Sequence, residues 1–387
     1  ESSARPFNDH NLNWNMASFH NYGSLPSPAH DYQPLQCHFC CLATVASTRA
    51  YISSLALVEK FLYIGTSDGE VRYMKRACLR NDETDGNILV AKEKGAVKCL
   101  LSSRNLLFSG HQDHKIRAWK IRTQELDDEP KCTQQATLPT LSDRALRALF
   151  WKNQVRVRRH KTSTWVHHND SVSGLALSSD GSLMYSVSWD RTLKTWKTGD
   201  FKCLESIENA HTDAINAVAG STEGDIFTGS ADGKVKVWRK CLERKKLSLV
   251  GVLEKHRSGV NALALNSDGT VLFSGSSDKS VIVWEQRSGD DGRHYLPVSI
   301  LEGHTKAVLC LCAVGGVLFS GSADKTVRVW KGNGKVSSCV AILEGHHGPV
   351  KCLTAENAGY GFLLYSGSMD ATVKVWQLRF SLSNATQ

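Results

Sequence analysis

The sequence predicts an all-β fold assembled from seven copies of one four-stranded antiparallel unit, and three observations carry that expectation. A twelve-residue segment recurs seven times along the 387 residues. Each copy places β-branched and aliphatic residues around a turn of the form Ser-Gly-Ser-x-Asp, and no segment inside the copies sustains a helical period. With 41% hydrophobic and 22% charged residues the chain holds enough apolar material for a sizeable core, which excludes wholesale disorder. No uninterrupted apolar run reaches the roughly 18 residues of a membrane-crossing helix.

In chain order the copies are YIGTSDGEVRYM (63–74), FSGHQDHKIRAW (108–119), YSVSWDRTLKTW (185–196), FTGSADGKVKVW (227–238), FSGSSDKSVIVW (273–284), FSGSADKTVRVW (319–330) and YSGSMDATVKVW (365–376). Their aspartates, Asp68, Asp113, Asp190, Asp232, Asp278, Asp324 and Asp370, follow at intervals of 45, 77, 42, 46, 46 and 46 residues. The long interval is too short to hide an eighth unit of roughly 40 to 45 residues, so it predicts an insertion, placed at 123–166. Upstream of five turns a histidine precedes an aliphatic residue by four positions: His168, His211, His256, His304 and His346. Each unit is then an outer strand, a histidine turn, an inner strand, a second strand, the Asp turn and a third strand ending in Trp.

These residues resemble the WD40 repeat family, with Gly-His at 303–304 and 345–346 and the terminal Trp in six of the seven units. In order, insertion and wording the sequence is most similar to plant WD40 proteins of the Jingubang type. The resemblance implies a seven-bladed WD40 β-propeller over 37–380, between a disordered tail (1–36) and a short C-terminal tail (381–387). It also implies structural hydrogen-bonded sets: His168, Asp190 and Trp196; His211, Asp232 and Trp238; His256, Asp278 and Trp284; His304, Asp324 and Trp330; His346, Asp370 and Trp376. A strand Ser or Thr joins each set, Ser320 or Ser322 in the sixth blade. The first unit has Thr48 and Met74, and the second has Glu93 at the histidine position, so those two blades are expected to be less rigid. Residues 41–47 align with outer-strand segments and have no earlier blade to join, so they should pair with 372–378 and close the ring.

Chemistry is sparse. Serine, histidine and aspartate recur together in five blades, which argues for a scaffold rather than a catalytic triad, since an active site need occur once. The segment GSADGKV (229–235) lacks phosphate-loop spacing and reads as a turn. Cys37, His38, Cys40 and Cys41 crowd together, but no second pair at finger-like spacing follows to complete a tetrahedral zinc site. No enzyme activity, cofactor or metal is therefore expected. The 12 cysteines lie mostly in apolar stretches, where Cys acts as a small hydrophobe, and this suits a cytoplasmic or nuclear setting.

The formal charge of +9 is concentrated. Arg144, Arg147, Lys152, Arg156, Arg158, Arg159 and Lys161 fall in 144–161 with no acid between them. Ser142 caps a short amphipathic helix at DRALRALFWK in this reading, and VRVRRHKTSTWV leads on into an outer strand. The helix either packs on the side of the ring or docks a partner. The same basic stretch supports an alternative function, association with RNA or chromatin.

No unit carries Asp after the strand Trp; that position holds Lys120, Lys197, Arg239, Glu285, Lys331 or Gln377. The Trp-Asp-x-Arg element of cullin-ligase receptors becomes Trp119-Lys120-Ile121-Arg122, which speaks against that adaptor role. On the opposite rim, the resemblance makes the residue before each turn Asp a partner contact: Ser67, Gln112, Trp189, Ala231, Ser277, Ala323 and Met369. Trp189 is the expected anchor and Met369 an adaptable apolar neighbour. The expected function is a monomeric, noncatalytic scaffold binding regulatory proteins in plant regulation or signalling.

Overall fold

The computed structural model describes residues 35–46, 50–76, 87–122, 130–148, 154–158, 161–241, 246–289, 292–332, 337–359 and 361–382. Within them each of the seven repeats folds into a four-stranded antiparallel sheet. The sheets span 52–92, 97–138, 172–207, 215–254, 260–301 and 308–343, with a seventh built from 350–382 and the strand Leu35–Ala46. Inner strands of successive sheets adjoin around the whole circle, and Val350–Ala358 meets Ile52–Val58 where it closes. This is a seven-bladed β-propeller.

The second strand of each blade is covered on both faces by its neighbours, so it reads as a run of small and apolar residues rather than an alternation. Asp225–Ser230, for instance, is buried at every position. The core is accordingly divided into seven apolar clusters, one in each gap between adjacent blades. Phe227, Val260 and Trp284 fill the gap between the fourth and fifth blades.

The Ser-Gly-Ser motif owes its glycine to this packing. A Cβ on Gly321 would lie 2.7 Å from Val350 Cγ1 on the next inner strand, and one on Gly367 would lie 2.5 Å from Ile52 Cγ2 across the closure. Polar side chains tie the same gaps: Asn216 Nδ2 donates to the Val260 carbonyl at 3.0 Å and Asn261 Nδ2 to that of Val308 at 2.9 Å. Ser53 bonds the Val97 carbonyl and Ser173 that of Ile215, while in the second blade the Cys99 thiol reaches the Val172 carbonyl at 3.8 Å.

Strand Leu35–Ala46 pairs antiparallel with Thr372–Leu382, with Thr44 opposite Lys374 and Val45 opposite Val373. It starts at Leu35, ahead of the 41–47 expected for a closing strand, and its partner runs to Leu382, beyond the expected end at 380. The reason is local: Cys37 and Phe380 pack together into the gap between the sixth and seventh blades, which extends the pairing at both ends. Cys40 and Cys41 are exposed on this outer strand. Residues 1–34, expected to form a tail, Thr48 and 383–387 lie outside the described residues.

Three expectations for 123–166 are corrected. Lys131–Leu138 is the outer strand of the second blade, so the inserted segment is narrower. Its outward side chains are polar (Lys131, Gln134, Gln135), which hid the strand in the sequence. The helix Leu141–Ala148 is capped by Thr140 rather than Ser142: the Asp143 N–H donates to Thr140 Oγ1 at 3.2 Å. Buried Asp143 in turn accepts the Cys203 N–H at 2.9 Å, fastening the helix to the outer strand of the third blade. Residues Gln154–Arg158 and Lys161–Thr164 form a separate hairpin instead of leading into a blade. No described helix is long and apolar enough to cross a membrane.

Candidate functional site

Two sets of side chains were marked by the sequence, and the fold places them in different surroundings. The histidine sets lie inside the blades. In the sixth, Trp330 Nε1 donates to Ser320 Oγ at 2.8 Å, Ser320 Oγ lies 2.8 Å from His304 Nε2, and His304 Nδ1 lies 2.8 Å from Asp324 Oδ2. Indole nitrogen is a donor only, so the serine proton goes to Nε2 and the histidine carries its own proton on Nδ1 toward the carboxylate. Ser322 is not in the chain; its hydroxyl accepts the Asp324 N–H at 3.1 Å.

The same chain runs through Trp238, Thr228, His211 and Asp232, through Trp284, Ser274, His256 and Asp278, and through Trp376, Ser366, His346 and Asp370. The third blade deviates. His168 Nδ1 is 2.8 Å from Thr192 Oγ1 and 3.4 Å from Asp190, while Trp196 keeps its bond to Ser186 at 2.8 Å. Ser186, Thr228, Ser274, Ser320 and Ser366 are all 0% exposed, so no substrate reaches these hydroxyls. The Ser-His-Asp order is that of a hydrolase triad, but its position is that of a buried strut.

Burial raises the cost of charge on His211 and His346 and holds both below the usual histidine range, against the pull of Asp232 and Asp370. Burial works against ionisation of Asp370 as well, yet bonds from Thr372, His346 and the His347 N–H outweigh it and hold the carboxyl far down.

In the second blade, where Glu93 stands in the histidine position, another residue fills the gap. His111 comes from the strand itself, is buried, and sets Nε2 2.8 Å from Ser109 Oγ, which also accepts from Trp119 Nε1 at 2.9 Å. Glu93 and Asp113 meanwhile clamp Arg117 at 2.9 and 2.7 Å. Burial, then the Arg117 charge, pushes His111 down to about 4. The sequence signal was the His in FSGH, where every other copy except the first carries Ser.

The residues before each Asp form a true ring. The backbone N–H of Ser67, Gln112, Trp189, Ala231, Ser277, Ala323 and Met369 each donates to a carbonyl just ahead of an inner strand, at 2.9 to 3.1 Å. All seven are thereby fixed at equivalent places on one face of the propeller. Trp189 is 41% exposed and Met369 48%. Both line a depression of about 260 Å³ at the mouth of the central channel, together with Lys98, Lys351 and Leu309. The Lys98 ammonium stands 5.0 Å from the centre of the Trp189 ring, a cation–π contact. Burial, then the Lys351 charge, holds Lys98 below the usual lysine range, with Asp170 pulling the other way. Of the other marked contacts, Ser277 is tied by its hydroxyl to Asn261 Nδ2 at 2.9 Å, and Gln112 is exposed without lining the depression.

Lys98 and Lys351 were not singled out in the sequence, although both sit in the tetrapeptide VKCL at the head of an inner strand. Of the basic stretch, Arg144 is exposed on the helix; the side chains of Arg147, Lys152, Arg156, Arg158, Arg159 and Lys161 lie outside the described residues. The cations after the strand Trp are partly engaged: Arg239 holds buried Asp225 at 2.6 and 2.9 Å, and Lys331 stacks 4.1 Å from the Phe380 ring centre.

Comparison with known proteins agrees with this geometry. The model of the WD domain, G-beta repeat, matches 159–197, 201–239, 247–285, 296–331 and 337–377, half of the chain. The chain is 25% identical over 252 residues to the rice (Oryza sativa subsp. japonica) "Ribosome biogenesis protein WDR12 homolog", covering 61% of this chain and 53% of that protein. It is 30% identical over 127 residues to the human "Kinesin-like protein KIF21A", covering 33% and 7%, respectively. It is 28% identical over 142 residues to the tobacco (Nicotiana tabacum) "Guanine nucleotide-binding protein subunit beta", covering 35% and 37%. The chain thus spans about half or less of the length of these relatives. Seven blades, five buried histidine chains and a repeat model that matches five blades in succession place the chain in the WD40 repeat family.

Proposed function

We propose that this protein is a noncatalytic scaffold whose Asp-turn face binds a regulatory protein, with Trp189 as the anchor and Met369 beside it. One observation carries the reading: two large, exposed apolar side chains from the third and seventh blades line the same depression at the ring mouth. A rigid aromatic beside an adaptable apolar side chain, in a ring that elsewhere carries mostly small residues, is a usual composition of an interface hot spot. The propeller itself supplies the rigidity, because each turn is pinned by the backbone bond described above. Ser67, Gln112 and Ser277 complete the contact ring.

The setting we infer is plant regulation or signalling, in the cytoplasm or nucleus and as a monomer. Its support is the likeness to Jingubang-type sequences and the apolar surroundings of cysteines such as Cys99, Cys310 and Cys352. The test is affinity capture from plant extract after nuclease treatment, comparing wild type with Trp189→Ala. Loss of a protein partner by a folded Trp189→Ala variant is expected, and full retention would sink the reading.

A second reading has one observation in its favour. Strands Gln154–Arg158 and Lys161–Thr164 set Arg158 opposite Lys161, and the second of them adjoins the helix that carries Arg144. RNA or chromatin association through this basic stretch predicts binding that falls steeply with salt and disappears on neutralising Arg156, Arg158, Arg159 and Lys161.

A further inference from the structure

We propose that the ring mouth is an acidic-peptide site: a carboxylate-bearing segment of a protein partner enters between Lys98 and Lys351 and lays an apolar side chain on Leu309 and Met369 beside Trp189. This rests on the docking reading above and names the chemistry of its partner.

The argument starts from what the seven equivalent positions do. At the head of the inner strands, Ser53, Ser173, Asn216 and Asn261 each spend their side chain on a carbonyl of the next blade. Lys98 and Lys351 stand at the same place in the second and seventh blades and make no such bond. In the second blade that duty passes to the following residue, Cys99, whose thiol reaches Val172. The sixth blade does likewise, with Leu309 facing the mouth and the Cys310 thiol 3.6 Å from the Val350 carbonyl. The two lysines are therefore spare with respect to ring assembly.

Among the described residues neither ammonium has a carboxylate in salt-bridge contact. Lys98 has the Trp189 ring on one side, and Asp170, which influences it from farther off, already accepts the Ser171 N–H at 2.7 Å. Lys98, half-buried, and Lys351, exposed, both line the depression, so two like charges share it and an entering anion would offset their repulsion. Leu309, Met369 and Trp189 supply apolar wall beside Tyr51, and the polar Ser173, Asn216 and Asn261 that complete the lining are already bonded to carbonyls of the next blade. A space of about 260 Å³ holds two or three side chains, and it has no row of aromatic faces on which successive bases would stack. Alternating acidic and apolar residues in an extended peptide fit this chemistry better than a polyphosphate chain.

The experiment uses fluorescence anisotropy with a labelled peptide of alternating Glu and Leu and a Lys/Leu peptide of equal length. Wild type is expected to bind the first and not the second, more weakly as salt rises. The double variant Lys98→Gln, Lys351→Gln should lose about tenfold or more in affinity at an unchanged melting temperature, and Lys98→Arg should keep most of it. Three results would overturn the proposal: no binding of the acidic peptide by wild type, equal binding by the double variant, or tighter binding of single-stranded RNA of the same length. Displacement of the peptide by equimolar inorganic phosphate would also overturn it, reducing the site to simple anion binding. The same variants separate the two levels of the argument. Partner capture lost with Trp189→Ala but kept by the double lysine variant removes the acidic-peptide site alone, whereas capture kept by both removes the docking face itself.

Discussion

Gly174 and Val187 face one another across the first two strands of the third blade, the reverse of the arrangement in the other six blades. Elsewhere the glycine stands on the second strand, as in the pairs Cys310–Gly321 and Ala262–Gly275, and the next inner strand packs into the space it leaves. In the third blade the larger side chain has moved to the second strand and the glycine to the first, where a Cβ would lie 3.1 Å from Val187 Cγ2 and 3.2 Å from Val218 Cγ1. Volume in the gap is conserved while the sequence motif is not. Gly174→Ala and Val187→Gly should each cost about 1–3 kcal/mol, by overpacking and by a cavity respectively. The double variant, which restores the pattern of the other blades, should cost less than their sum by about 1 kcal/mol or more, measured as a double-mutant cycle in urea.

Ser320 serves two partners at once. Ser320→Ala leaves the Trp330 indole N–H and His304 Nε2 buried without their bond and should cost about 2–4 kcal/mol, while Ser322→Ala, which loses contacts to the Asp324 N–H and the Lys306 carbonyl, should cost less. Equal losses on chemical denaturation would mean that the chain is not the stronger strut.

Acid should weaken the fold in two stages. His111, His168, His211 and His346 are held neutral by burial, so the unfolded chain binds more protons below the ordinary histidine value and stability falls as pH drops from about 6.5. For His111 that loss runs down to about 4. The carboxyls of Asp278, Asp324 and Asp370 are held low despite burial by hydrogen bonds from Ser280, His304 and Thr372 among others, so their contribution is present above the ordinary aspartate value and lost below it. For Asp278 the window closes at about 2. His111→Asn should flatten the first stage by on the order of 1–3 kcal/mol between pH 6.5 and 4. A stability that is level from neutrality to pH 4 would contradict the assignment.

The residue after each turn Asp adopts a left-handed backbone in all seven blades, yet only Gly69 and Gly233 are glycine. Ala371, at φ 64°, has no side-chain bond to offset that strain. Ala371→Gly should leave stability unchanged or raise it by up to about 1 kcal/mol, the relief of a left-handed Cβ partly offset by the greater freedom of the unfolded glycine. A clear loss in thermal denaturation would show that the methyl packs usefully.

Trp189 should be dispensable for folding. It is 41% exposed and its ring meets a lysine rather than the core, so Trp189→Ala should change stability by about 1 kcal/mol or less. A large drop in melting temperature would recast it as a lid over the neighbouring loops and withdraw it from the docking face.

The blades were legible because Ser, Asp and Trp recur at fixed offsets, and the geometry demands each of them. Lys131–Leu138 was not, since an outer strand with solvent on one side needs few apolar residues and Gln134 and Gln135 masked its period. His111 was missed for a different reason: it reaches the buried serine from two residues away on its own strand, so the offset that identifies the other histidines does not find it. Trp189 and Met369 were legible as exceptions within an aligned column. Lys98 and Lys351 were not, because four blades of sequence lie between them and they become neighbours only when the circle closes.

The register of the outer strand of the seventh blade sets Leu35 against Leu382, at the end of the sheet remote from the Asp turns. Leu35 and Leu382 therefore stand side by side, about 5 Å apart, on the far side from Trp189. Two short recognition sequences grafted at these two residues would start within one small volume, where a bivalent ligand meets the second at an effective concentration of about millimolar. Such a ligand would not compete with an occupant of the ring mouth, so a single propeller has room to join two proteins across its thickness.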